Sequence, residues 1–135
     1  MFVEYDRAGG ILTKGDYISG EKEGEWIYQV GDHEERGSYI IGLREGVWKY
    51  FFNDGSIKYE GLYSQGNPDK RHKYYYPSGG LKEDQYYELG IRERNWKKYD
   101  EDGNLLMTIT YKNNAELRIN GIRIKLPESD VTLIR

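Results

Sequence analysis

The chain contains no cysteine. That excludes a disulfide framework, a thiol nucleophile, a Cys-ligated metal and a lipoprotein-type acylation site. Proline is scarce, at 3 of 135 residues, and no apolar run approaches a transmembrane span. The start, Met1 to Asp6, lacks the basic and apolar pattern of a signal peptide. As the chain stands this implies a cytoplasmic protein, unless it is a segment of a longer exported one. Net charge is only −3, with pI about 5.5 and both signs interspersed. A face for phosphates would need a basic surplus, so nucleic acid is not an expected partner and membrane insertion is not expected.

What is present is aromatic. Hydrophobic residues make up 37% of the chain, and 14 residues are Tyr beside 17 Gly. Aromatic side chains suit a pleated, half-buried surface and glycine marks turns, so the composition reads as all-β. No segment shows a 3.6-residue apolar period, and little or no helix is expected.

Self-similarity organises the chain. A tyrosine column runs Tyr17, Tyr39, Tyr63, Tyr87, Tyr111, at spacings of 22, 24, 24 and 24. Three residues on come Gly20, Gly42, Gly66, Gly90 and then Asn114. An acidic column reads Glu23, Glu45, Asp69, Glu93, and a ring column reads Trp26, Trp48, His72, Trp96. Ser56 to Tyr63 alternates like a strand, Gln65 to Asp69 reads as a turn, and His72 to Tyr76 reads as a second strand.

The alternation sets a register. With Asn53 to Ser56 as a four-residue loop, Phe52 should face Ile57, Tyr50 face Tyr59, and Trp48 face Gly61. The same reasoning sets Trp26 against Gly37, Phe2 against Gly15, and His72 against Gln85. A ring over a glycine fills the gap that glycine leaves, so the Trp48 ring is expected over Gly61. Trp96 faces Ile109, which this pattern does not explain. The predicted fold is an elongated single-sheet meander of tandem β-hairpins in 22–24-residue units. It forms one domain over 1–135, with repeats over 1–114 and a cap hairpin and tail over 115–135. The Asn120-Gly121 pair marks the cap turn.

Gly37, Tyr39, Gly42, Arg44, Glu45, Gly46, Trp48 and Tyr50, followed by Asn53-Asp54-Gly55, form one intact unit. This unit resembles the variant MORN repeat of bacterial proteins of the YwqK antitoxin-like type, and the resemblance covers roughly residues 2–114. It implies a meander of hairpins and a repeat scaffold for protein contacts, without catalysis. The third unit departs most, with Lys70-Arg71-His72 in place of Gly46-Val47-Trp48.

The candidate site is a row on the second face: Lys49 and Phe51, Lys73 and Tyr75, Lys97 and Tyr99. Equivalent positions should stack about 10 Å apart, giving aromatics flanked by ammonium groups that suit an acidic or aromatic protein segment. Read structurally, the same residues are cross-strand pairs contributing about 0.2–1 kcal/mol each. The acidic column reads as carboxylates bonded to turn N–H groups, because a 10 Å spacing prevents convergence on a metal. His33 and His72 show neither triad nor zinc spacing. No cofactor is expected, and the exposed face or an edge strand offers a route to a homodimer. The alternative function is an aromatic-lined small-ligand binder resembling choline- or glucan-binding modules.

Overall fold

A computed structural model describes residues 1–120 and the backbone of 122–123. The strands are β1 (Phe2–Tyr5), β2 (Ile11–Ile18), β3 (Glu21–Val30), β4 (His33–Ile40), β5 (Leu43–Phe52), β6 (Ile57–Ser64) and β7 (Asn67–Tyr75). They continue as β8 (Leu81–Glu88), β9 (Ile91–Arg92), β10 (Arg94–Tyr99), β11 (Leu105–Lys112), β12 (Ala115–Ile119) and β13 (Ile122–Arg123). All lie in one antiparallel sheet in sequence order, with β9 and β10 both pairing β8 on either side of Glu93. The described residues include no helix. The expected all-β meander is the observed architecture.

Register follows the alternation at five positions. Trp48 pairs with Gly61, Tyr50 with Tyr59, Trp26 with Gly37, Phe2 with Gly15, and His72 with Gln85. The expected Phe52–Ile57 pair does not form. Ile57 pairs with Phe51, and Phe52 closes a three-residue loop by donating its N–H to the Ser56 carbonyl at 2.8 Å. Gly55, at φ +88°, supplies the left-handed residue that bulges this hairpin. The expected turn over Gln65 to Asp69 is also shorter, because only Gln65 and Gly66 turn and β7 starts at Asn67.

A single sheet has no second layer, so its core must form within one face. Trp26, Trp48, Tyr59 and His72 are the largest fully buried side chains described. The ring and tyrosine columns interleave as one ladder. Tyr17 meets Trp26 edge-on at 5.0 Å, Tyr39 meets Trp48 at 5.1 Å, Tyr63 meets His72 at 5.3 Å, and Tyr87 meets Trp96 at 5.0 Å. Edge-to-face pairs contribute about 0.5–1.5 kcal/mol each beyond area burial.

The rings do not sit over the glycines first expected. Trp48 leans back onto the preceding strand, so a Cβ at Gly37 would stand 2.0 Å from its Cδ2, and Trp26 covers Gly15 in the same way. Gly61 lies under His72 and Tyr59 instead. This offset accounts for Ile109. The next ring in the column would fall at Asn120, which carries none, so the strand beneath needs no glycine. Ile109 is buried there, opposite Ile119. The cap hairpin pairs β12 with β13, with Ile119 opposite Ile122; residues 121 and 124–135, including the predicted tail, lie outside the described residues.

The other ends of the hairpins are two-residue turns with both residues at positive φ, for example Ile41 (49°) and Gly42 (76°). A β-branched residue in that region is strained, and the neighbouring repeat compensates. The Ile41 N–H donates to Glu23 Oε2 at 2.7 Å, and the Gly42 N–H to the Lys22 carbonyl at 2.9 Å. The pattern recurs at Gln65 with Glu45 (2.9 Å), Leu89 with Asp69 (3.0 Å) and Asn113 with Glu93 (2.8 Å). The acidic column thus serves turns, as expected, but each carboxylate holds the turn of the following repeat rather than its own.

Candidate binding face

Strand alternation puts Trp48, Tyr50 and Tyr59 on the ring face and Lys49, Lys73 and Lys97 on the opposite face. There they join one cross-strand row that reads Arg36, Lys49, Glu60, Lys73, Asp84, Lys97, Thr108. Lys73 therefore stands between two carboxylates, Lys49 faces Glu60, and Lys97 faces Asp84. From Lys49 to Lys97 the row alternates in sign rather than presenting bare ammonium groups, a pattern that stabilises a sheet, although Lys49 also faces Arg36 on its other side. Arg71 adds a bond to Asp84 at 3.1 Å.

The three aromatic members lie beside this row, each at a bulged end. Phe51 pairs with Ile57, Tyr75 with Leu81, and Tyr99 with Leu105. All three are half-buried, while Lys49 is exposed. Tyr75 donates its hydroxyl to Glu60 Oε2 at 2.8 Å. Burial, with that carboxylate beside it, pushes the Tyr75 hydroxyl up to about 12.

Two features of this face carry no strong sequence signal. Val47, Ile40 and Leu43 are each about half exposed, at 54%, 52% and 50%. Val47 and Leu62 line an open depression with Glu60, Lys70, Arg71 and Lys73. Only the register, which pairs Val47 with Leu62, brings them together.

On the ring face, His72 takes the place of a tryptophan and keeps its hydrogen bond. Trp26 Nε1 donates to the Asp16 carbonyl at 3.1 Å, Trp48 Nε1 to Ser38 at 3.1 Å, and Trp96 Nε1 to Tyr86 at 3.0 Å. His72 Nε2 donates in the same way to the Leu62 carbonyl at 2.8 Å. With that nitrogen protonated, Nδ1 accepts from the Tyr59 hydroxyl. Burial lowers the His72 pKa and raises that of Tyr59. His33 bonds Glu35 at 2.8 Å and stacks on Tyr50 at 5.3 Å, with the Tyr50 and Tyr59 rings standing between it and His72. Among the described residues no three His, Asp or Glu side chains converge.

Comparison with known families gives one finding. The model of the MORN repeat variant matches three segments of this chain, residues 44–65, 68–89 and 95–113. These correspond to the hairpin units built on Trp48, His72 and Trp96. The unit built on Trp26 lies outside the matched segments, yet shares their turn, ring bond and carboxylate geometry. No curated protein matches the chain.

Proposed function

We propose that this array, three of whose units match the MORN repeat variant, is a non-catalytic scaffold that binds a protein partner along the face opposite the rings. The observation that carries the reading is the composition of that face. Half-buried Phe51, Tyr75 and Tyr99 stand beside a charge-alternating row, with the exposed aliphatics Ile40, Leu43 and Val47 adjoining. Aromatic anchors set among polar groups are what protein interfaces use, while the paired charges set register and orientation. An extended segment could follow the face from one repeat to the next. The antitoxin-like role implied by the resemblance to bacterial YwqK-type proteins would be one instance, in which the bound partner is a toxin.

The test separates recognition from stability. Changing Phe51, Tyr75 and Tyr99 together to Ser removes half-buried rings that lie away from the ring ladder. Each change should cost about 0.5–1 kcal/mol. Affinity for a partner isolated with the wild-type chain should fall at least about tenfold, equivalent to about 1.4 kcal/mol. A folded triple variant that binds the same partner with unchanged affinity would exclude this face.

A further inference from the structure

The ring ladder carries cations of its own. Lys22 Nζ lies 5.0 Å from the Trp26 ring centre and 5.2 Å from that of Tyr39, and donates to the Tyr28 hydroxyl at 2.8 Å. The Arg44 guanidinium lies 4.2 Å from the Trp48 ring and 5.2 Å from Tyr63, and donates to the Tyr50 hydroxyl at 3.3 Å. Arg92 lies 4.6 Å from Tyr111. These three belong to one column, immediately before the acidic residues, and the fourth member is Pro68.

The backbone shows that Pro68 is equivalent to the others. Its carbonyl accepts the Gly90 N–H at 2.6 Å, just as the carbonyls of Lys22, Arg44 and Arg92 accept from Gly42, Gly66 and Asn114. The rings of a cation site are also present. His72, Tyr74 and Tyr87 stand where Trp48, Tyr50 and Tyr63 stand one repeat earlier, and Tyr87 meets His72 at 5.1 Å. A carboxylate is at hand, because Glu83 pairs with Tyr74; one of its oxygens accepts from Gln85 Nε2 at 2.8 Å, and Lys98 faces it from β10. Glu35 pairs with Tyr50 and lies 3.8 Å from Arg44. Among the described residues no Lys or Arg lies over the ring of Tyr74 or Tyr87. Nor does His72 supply the charge, since one ring nitrogen donates to Leu62 and the other accepts from Tyr59.

We propose that the third repeat is an open cation site, formed by the half-buried Tyr74, Tyr87 and Glu83 above the buried His72, which takes the side chain of an arginine from a protein partner. Arginine fits better than lysine because its flat guanidinium can stack on a ring while donating to a hydroxyl and a carboxylate. In the neighbouring repeat Arg44 lies over Trp48, donates to the Tyr50 hydroxyl and forms an ion pair with Glu35 at 3.8 Å. The place itself follows from geometry; only the source of the cation rests on the protein-binding reading.

The test needs no partner. N-acetyl-arginine amide is titrated into the full chain while the aromatic side chains are followed by NMR. Selective shifts of the His72, Tyr74 and Tyr87 rings are expected, with those of Trp48 unmoved. Pro68→Arg, which fills the place from within, should weaken the response at least about threefold, while Pro68→Ala keeps it. Circular dichroism of both variants checks the fold. Glu83→Gln should also weaken it. Absence of a site-selective response, or equal responses from Pro68→Arg and Pro68→Ala, would overturn the site. Tetramethylammonium binding as tightly as the arginine amide would overturn the arginine assignment in favour of a small quaternary ligand. Because the serine variant alters the other face, its result leaves this titration unaffected.

Discussion

The second and third repeats share a backbone and most of their tyrosines, and differ at the ring, the bulge and the cation. In the second, Trp48 covers Gly37, Gly46 takes positive φ at the bulge, and Arg44 lies over the rings. In the third, His72 covers Gly61, Lys70 takes the positive φ at 59°, and Pro68 replaces the cation. Yet Gly46 pairs with Tyr63 as Lys70 pairs with Tyr87, and Glu45 and Asp69 hold the following turns alike. The two hairpins nevertheless keep three features in common. These are the glycine beneath the ring, the ring N–H bond to the preceding strand, and the carboxylate on the next turn. The apolar area of the ring adds stability to that frame without defining it.

The comparison is broken most directly at the ring. Trp48→Ala should cost about 3–5 kcal/mol, as losing a fully buried large aromatic does. His72→Ala should cost less, about 1–3 kcal/mol, mainly from the unpaired Leu62 carbonyl and Tyr59 hydroxyl. Denaturant unfolding measures both. Gly37→Val should couple to Trp48→Ala by more than about 0.5 kcal/mol, whereas Gly61→Val should couple to His72 and not to Trp48. Coupling of Gly61 with Trp48 would mean that the rings lean the other way.

A smaller difference lies in acid. Burial lowers the His72 pKa below the ordinary value of 6.5, so the unfolded chain takes up the proton first. The contribution is fully present above about pH 6.5 and declines as pH falls through the folded-state value. Unfolding curves from about pH 7.5 down to about pH 5 should therefore show an acid loss that His72→Trp reduces. An unchanged acid limb in that variant would assign the loss elsewhere.

The smallest effect is at the bulge. Lys70→Gly relieves a left-handed conformation that costs an L-residue more than glycine, so the thermal midpoint should rise slightly. Gly46→Lys should lower it. The exposed ion pair of Lys70 with Glu88, at 3.1 Å, is too solvated to reverse the sign. A fall in midpoint for Lys70→Gly would show that the lysine side chain stabilises its repeat.

The sequence by itself determined the period, the strand pairing and most of the register. A two-residue alternation allows only one placement that keeps Trp48, Tyr50 and Tyr59 on one face, and an even change in loop length preserves it at Trp26 and Gly37. It also placed the Lys49 to Tyr99 row on the opposite face by the same alternation. What it left to the tertiary structure are contacts with the neighbouring repeat. A residue in an inner strand has a strand on each side, and pairing alone does not say toward which one a ring tilts; the fold sends Trp48 to Gly37 rather than Gly61. Nor does spacing reveal that Glu23 reaches the turn at Ile41, 18 residues on, or that Lys73 stands between Glu60 and Asp84. The slip at Phe51 depends on how Gly55 bulges its hairpin, and the role of Pro68 becomes visible only once its carbonyl aligns with those of Lys22, Arg44 and Arg92. Each of these depends on side-chain tilt and the stacking of adjacent turns, which alternation along one strand does not encode.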